Sequence, residues 1–297
     1  MSTKIVTDST SDLPPALVSD LGITVVPAYV GFGDKTYRDG IDITQDEMYR
    51  KMVDENIPAT TSQPNPGDFA QVYQKLLKEA DKIVSIHVTS KLSGIYSSAL
   101  TGKDMVGAGN RVAVVDSQSV SMGLGLLAVL AARLAKLGED MPDILEELRL
   151  SVPRIRAFGF LESLKYILQG GRLGKAKALL GSVLPLRPML TMRDGELHPV
   201  GFARTRGKAI ERLFGISQSI GDIEEAAIVH ATTPDDALTL KEKLSALVER
   251  NRIHISRLGP ALGVHGGPGT IILALRQKIK SAPDLNQYQP VSGHQTI

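Results

Sequence analysis

The segment Leu258-Gly259-Pro260-Ala261-Leu262-Gly263-Val264-His265-Gly266-Gly267-Pro268-Gly269 sets one imidazole among five glycines and two prolines. Glycine suits positions that need φ > 0 or a close backbone approach, and successive bare N–H groups in such a turn form a concave anion site. His265 is the only titratable side chain in the run. The pattern predicts an anion-holding turn rather than a packed core element. The plain alternative is a tight turn with an incidental histidine.

Two hydroxyl-rich segments join it. Thr60-Thr61-Ser62 enter the turn Gln63-Pro64-Asn65-Pro66-Gly67 ahead of a helical pattern at Asp68-Phe69-Ala70-Gln71-Val72-Tyr73. Pro66 or Asp68 serves the helix start, so the hydroxyls exceed what one cap needs. Thr89-Ser90-Lys91-Leu92-Ser93-Gly94-Ile95-Tyr96-Ser97-Ser98-Ala99 follows the apolar run Lys82 to Val88, which reads as a buried strand. A polar, glycine-containing segment between such a strand and a helix is where open α/β sheets bind ligands. Capping and turn chemistry accounts for either segment alone; the three together favour a site.

Other chemistries compete for these residues. Ser93, His265 and Asp116 supply the types of a serine hydrolase triad, whose chain order is unconstrained. Against it, Lys91-Leu92-Ser93-Gly94-Ile95 lacks both flanking glycines of a nucleophile elbow. Asp8 and Asp116 each end a strand, where turn hydrogen bonding explains an aspartate more readily than catalysis does. His87, His198, His230, His254 and His294 stand without metal-ligand spacing, so no metal is expected. Gly123-Leu124-Gly125-Leu126-Leu127-Ala128 fits G-x-G-x-x-A, but seven residues separate it from the strand ending at Val115, which favours a closely packed helix start. Near Gly174-Lys175 and Gly207-Lys208 the first P-loop glycine and the Ser/Thr are both missing. No nucleotide cofactor is expected.

Around these residues, 297 positions are long for one core and suggest two domains. The 34 basic against 32 acidic residues are scattered without a basic stripe, which disfavours nucleic acid as a partner. With no cysteine, disulfides and thiolate metal sites are excluded, and a cytoplasmic location is expected. The start lacks a signal-like apolar core, and the most apolar stretch, Met122 to Ala132, is too short to span a bilayer.

The first half alternates strand-like runs (Lys4–Val6, Ile23–Val30, Lys82–Val88, Arg111–Val115) with helical ones (Pro14–Leu21, Thr44–Asp54, Pro66–Ala80, Ser93–Val106, Ser121–Leu137). That rhythm implies a mainly parallel sheet covered on both faces. It changes around Leu150 to Arg156. Beyond come strand-like Ala157–Leu161, Leu186–Met192, Glu196–Ala203, Ala226–Ala231 and Ile253–Leu258, with Asp194-Gly195 reading as a hairpin turn, so the second sheet is antiparallel or mixed. Residues 1–153 and 154–280 are the expected α/β domains, and the polar, non-periodic 281–297 an expected loose, disordered tail.

In the order of its motifs the chain resembles the DegV family, whose characterised members include the fatty-acid-binding subunits of bacterial fatty acid kinase. The motifs are Thr7-Asp8-Ser9-Thr10-Ser11-Asp12-Leu13-Pro14, Thr60-Thr61-Ser62-Gln63-Pro64, Leu92-Ser93-Gly94-Ile95-Tyr96-Ser97-Ser98-Ala99, Val115-Asp116-Ser117, Gly170-Gly171-Arg172-Leu173, Arg187-Pro188-Met189-Leu190, Arg204-Thr205-Arg206 and Gly263 to Gly269. Ile95 stands where the family usually has Thr, and Gly266 where it often has Thr or Ser. The resemblance implies the same two-domain plan with a ligand between the domains. It implies a carrier without catalytic residues or cofactor, which holds a long-chain fatty acid and presents the carboxylate to a separate ATP-binding kinase subunit for acyl-phosphate formation. Thr61, Ser62, Ser93, Gly94, His265 and Gly266 would then meet the carboxylate, and Arg172, Arg204 and Arg206 the phosphorylated product or the kinase. Transient contact with a membrane surface is compatible with such a carrier. The rival is a serine hydrolase acting on a lipid-like ester through Ser93 and His265.

Overall fold

The computed structural model describes residues 2–179 and 186–278, so the expected tail lies outside the described residues. The first half is built from β1 (Thr3–Asp8), α1 (Pro15–Leu21), β2 (Thr24–Val26), β3 (Tyr29–Phe32), β4 (Lys35–Arg38), α2 (Gln45–Tyr49), β5 (Ala59–Ser62), α3 (Pro66–Leu76), β6 (Lys82–His87), α4 (Ile95–Met105), β7 (Val112–Asp116), α5 (Met122–Leu137) and α6 (Met141–Ser151). Their starts follow from local chemistry. Asn65 caps α3 in a reciprocal capping box with Asp68, with Pro66 as the first helical residue, and Thr44 and Glu47 do the same for α2.

Strands β2-β1-β6-β7 form a parallel sheet in that order. The chain winds outward from β1 in one direction and from β6 in the other, so their carboxyl ends, Asp8 and His87, flank the switch point where a crevice opens. The expected single strand over Ile23–Val30 is instead two. Pro27, which has no N–H to give a ladder, divides β2 from β3. After that break the chain changes sheets, and β4-β3-β5 make a small antiparallel sheet that ends at Ser62.

The second half contributes β8 (Ile155–Phe160), α7 (Lys165–Gln169), β9 (Arg187–Arg193), β10 (Glu196–Ala203), α8 (Arg206–Ile220), β11 (Ile223–His230), α9 (Pro234–Leu244), β12 (Ile253–Arg257), α10 (Pro260–Gly266) and β13 (Ile271–Gln277). Its mixed sheet runs β10-β9-β8-β13-β11-β12. Asp194 and Gly195 have φ of 50° and 76°, the paired positive values of the hairpin turn that Asp-Gly announces. The fold is thus α/β in two domains, a parallel sheet beside a larger mixed one. Strand β13, which the periodicity does not reveal, sits near the middle of that sheet between β8 and β11.

Over Met122–Val129 helix α5 is apolar all round because it is covered all round, and only its last turns, with Arg133 and Lys136, reach solvent. It packs against β1 and β6 of one domain and β11 and β13 of the other. Leu124, Leu126, Leu127 and Ala128 belong to the same core cluster as Ala227, Val229 and Ala274.

At the seam, two carboxylates of the first domain receive the start of α10. Asp12 accepts hydrogen bonds from Gly259 N at 2.8 Å and Ser121 Oγ at 2.5 Å, and Asp39 from Ser9 Oγ at 2.7 Å and from the backbone of Ala261. Burial pushes the Asp12 carboxyl up to about 8 against those hydrogen bonds, and Asp39 up to about 6. An unfolded aspartate titrates at its ordinary 3.8. The native state therefore binds more protons across that window, and the stabilisation present at low pH is lost as pH rises through the native pKa values. Asp12→Asn mimics the protonated side chain, and asparagine tolerates the left-handed φ of 50°. The variant should be more stable than the parent at pH 8, with a flatter dependence of unfolding free energy on pH. Denaturant titrations across that range check it, and a slope equal to the parent's would refute the assignment.

Candidate functional site

Between the two sheets lies a cavity of about 320 Å³. From the first domain it is walled by Ala28, Val88, Leu92, Ile95 and Val120, and from the second by Ala157, Phe158, Leu161, Ile167, Leu190, Met192, Leu197, Leu258, Leu262 and Ile272. Three wall hydroxyls are turned to use within the protein. Thr10 Oγ1 donates to Asp8 at 2.5 Å, Thr191 Oγ1 to the Ala157 carbonyl at 2.9 Å, and Thr270 Oγ1 to the Gly266 carbonyl at 2.8 Å. With their donors occupied, the wall behaves as apolar surface.

Polarity concentrates at one end, where Thr61, Ser62, Gln63, Ser93, Arg172 and His265 line the cavity. Strand β5 delivers Thr61, the β6–α4 connection delivers Ser93 and Gly94, and α10 delivers His265 in its last turn. Ser93 Oγ accepts from Ile95 N at 3.3 Å, and Gly94 is the N-cap of α4. Of the helix start, Ile95 lines the cavity with its N–H held by Ser93, whereas Gly94 is outside the lining and lies against the Gln63 amide. Thr61 Oγ1 lies 2.8 Å from His265 Nε2. Among the described residues His265 Nδ1 is buried without a partner, against Gly170, where any β-carbon would overlap the ring. Burial, with Arg172 nearby, lowers the imidazole to about 4. A histidine so placed is neutral at physiological pH.

The glycine-rich run is a helix rather than the expected anion-holding turn. Packing accounts for Gly263, where a β-carbon would overlap the Met48 methyl and come within 3.0 Å of the Tyr49 hydroxyl; beyond the helix Gly267 and Gly269 take positive φ of 74° and 75°, and a β-carbon on Gly267 would also run into the Tyr166 ring. Gly266 lines the cavity as the last residue of α10.

The hydrolase constellation is not assembled. His265 meets Thr61, no carboxylate reaches its Nδ1, and Asp116 accepts from the backbone of Ser90 and Gln118. A histidine paired with Thr61 rather than Ser93, and without an orienting acid among the described residues, lacks the geometry that activates a nucleophile. The three arginines separate. Arg172 is exposed yet lines the cavity mouth rather than facing only outward, its Nη1 donating to Gly170 O at 2.6 Å. Arg204 is exposed and outside the cavity lining. Arg206 is spent within the chain on Asp236, Glu162, Thr233 and the Gly269 carbonyl, which removes it from the arginines free to meet a partner. Beside the mouth, Glu196 at the tip of the β9–β10 hairpin pairs with Lys175 at 2.6 Å and approaches Lys91 of the other domain at 4.0 Å.

Gln63 and Thr10 also line the cavity, and neither is singled out by the sequence reading. Two-residue alternation from Thr61 points to Gln63, but that signal needs β5 to be recognised as a strand. Among the described residues, no group of carboxylates and histidines could hold a metal, and no helix is long and apolar enough to cross a membrane.

The two sheets and the cavity between them define a two-domain α/β fold with an interdomain pocket. Residues 2–278 match the family model described as "Uncharacterised protein, DegV family". The chain is 36% identical over 267 residues to a DegV domain-containing protein of Caldanaerobacter subterraneus, covering 89% of this chain and 95% of that one. A DegV family protein of Thermus thermophilus, described for its fatty acid binding, superimposes with a TM-score of 0.88 at 35% identity, over 94% of this chain and 100% of the other. A stearic acid-binding protein of Eubacterium ventriosum does so with a TM-score of 0.84 at 26% identity, over 93% and 98%. The chain belongs to the DegV family.

The histidine's setting gives a direct test. Its ring resonances, followed by NMR, should titrate with a midpoint near 4 rather than near the ordinary 6.5. A midpoint at the ordinary value would mean that the imidazole is solvated and outside the dry seam described above.

Proposed function

We propose that this protein carries a long-chain fatty acid in the cavity between its domains, carboxylate at the exposed polar end, and presents that carboxylate to a separate ATP-binding kinase subunit. The observation that carries the reading is the polarity of the cavity. A long apolar wall whose hydroxyls are internally occupied leads to one cluster of unspent donors. Each buried methylene of an acyl chain contributes about 0.8 kcal/mol. The carboxylate costs several kcal/mol to desolvate unless hydrogen-bonded, and Thr61, Ser62, Ser93 and the first turn of α4 offset that cost. A fatty acid, unlike a sugar or nucleotide, matches both ends at once. The fatty-acid binding described for the relatives supports the same ligand class.

His265 acts through Thr61. With the neutral ring carrying its proton on Nε2, it donates to Thr61 Oγ1 and leaves the hydroxyl proton for the ligand. The carrier supplies no nucleophile of its own; the ligand's carboxylate attacks the γ-phosphoryl group held by the kinase, a step that needs positioning above all. Arg172 at the rim is placed to meet the added phosphate charge. Lys165, Lys175 and Lys177 lie with it in the stretch 163–179, which contains no acidic residue, and Leu168 is exposed there. That composition suits brief contact with an anionic membrane surface when ligand is exchanged.

Protein purified under native conditions should carry a mass in the fatty-acid range by native mass spectrometry. Thr61→Val and Ser93→Ala should each weaken fatty acid binding about tenfold or more, the cost of one hydrogen bond to a charged group. Unchanged isotherms in both variants would place the carboxylate elsewhere. Arg172→Ala should keep fatty acid affinity within about threefold of the parent while reducing the rate of acyl-phosphate formation with the kinase subunit at least tenfold, since a rim arginine meets only the phosphorylated end. Loss of fatty acid binding with normal kinase coupling would reverse that assignment.

A further inference from the structure

Gln63 is exposed, lines the polar end of the cavity, and among the described residues makes no hydrogen bond through its amide. Its position is nevertheless specific. A β-carbon built on Gly94 would meet Gln63 Oε1, Nε2 and Cδ at 2.5, 2.6 and 2.7 Å. Three nearly equal distances mean that the amide lies face-on over the bare Cα of Gly94. The backbone there has φ −81° and ψ 3°, which an L-residue can adopt, so turn conformation does not demand glycine at this site. What demands it is the amide plane resting on it.

Gly94 is the N-cap of α4 and follows Ser93, so the amide is held at the edge of the space in front of the helix's first turn. A carboxylate there accepts hydrogen bonds only, and a primary amide brings two donors. We propose that Gln63 is a specificity group for the acyl head group: it donates an amide N–H to the carboxylate from the exposed side, and Gly94 serves the site by leaving room for that amide. This rests on the fatty-acid reading above and adds the residue that distinguishes an ionised acid from an uncharged lipid of the same length.

Affinities of the full-length protein for lauric acid and lauryl alcohol, measured at neutral pH, test it. Gln63→Ala should weaken lauric acid about tenfold and leave the alcohol within about twofold, because only the charged-group hydrogen bond is lost. Gln63→Glu keeps the shape but replaces the donor with a like charge, and should weaken lauric acid on the order of a hundredfold, again sparing the alcohol. Gly94→Ala should reproduce the Gln63→Ala loss by displacing the amide, and should add nothing when Gln63 is already alanine, as expected for residues acting through one contact. Unchanged lauric acid affinity in Gln63→Glu overturns the proposal while leaving the carrier reading intact. Equal losses for acid and alcohol overturn it too, because the residue would then be wall. Additive losses in the double variant refute the role of Gly94. If the parent protein binds neither of these ligands nor palmitic acid, the failure lies in the fatty-acid reading itself.

Discussion

Helix α10 occupies a position that a chain of ordinary residues could not enter. Met48 and Tyr49 press on it at Gly263, Tyr166 at Gly267, and the buried carboxylates of Asp12 and Asp39 hold its first turn. Interiors are packed to crystal density, so this crowding fixes the helix along its length. It also fixes where His265 stands. Gly170 gives way to the imidazole, Thr61 meets its Nε2, and the polar end of the cavity is set by backbone clearances rather than by the flexible ends of side chains.

The electrostatic design follows from that rigidity. Apart from Arg172, the groups at the polar end of the cavity are neutral: the hydroxyls of Thr61, Ser62 and Ser93, the Gln63 amide and an imidazole kept uncharged by burial. A buried guanidinium would bind a carboxylate tightly and in fork geometry, but would also pin it. Under the proposed function, neutral donors would stabilise the carboxylate while leaving one side of it open to a partner. The fixed positive charge, Arg172, is kept to the rim, exposed to the solvent that screens it.

Much of this was legible in the residues. The hydroxyl segments at Thr61 and Ser93 converge with His265 from three distant parts of the chain because a strand end, a strand-to-helix turn and a helix meet at one sheet edge. The Asp194-Gly195 turn and the helices at Pro66 and Ser121 follow from local rules of φ, capping and periodicity. What misled was glycine. Its density around His265 has the same look whether the backbone approaches a ligand or side chains approach the backbone, and only three dimensions separate the two. Strand β13 was hidden for a related reason: Ile271-Ile272-Leu273-Ala274-Leu275 is buried on both faces, so it lacks the alternation that marks a half-exposed strand. Pro27 split a run that hydropathy alone joins, and Arg206 carried no sequence signal of its ion pairs across 30 and 44 residues.

Helix α5 gives the molecule a property that its two sheets do not suggest. Domains with separate cores can open locally and melt one before the other. Here a single apolar cluster runs from Val6 and Ile86 through Leu126 to Val229 and Ala274, so neither sheet can shed its partner without exposing that helix to water. The second half also has cores of its own, around Leu213 and Leu273 and around Ile167 and Leu173, and the shared cluster couples them to the first half. The cavity between the sheets borders that shared core, with Ile95, Leu258 and Ala261 lining the one and belonging to the other.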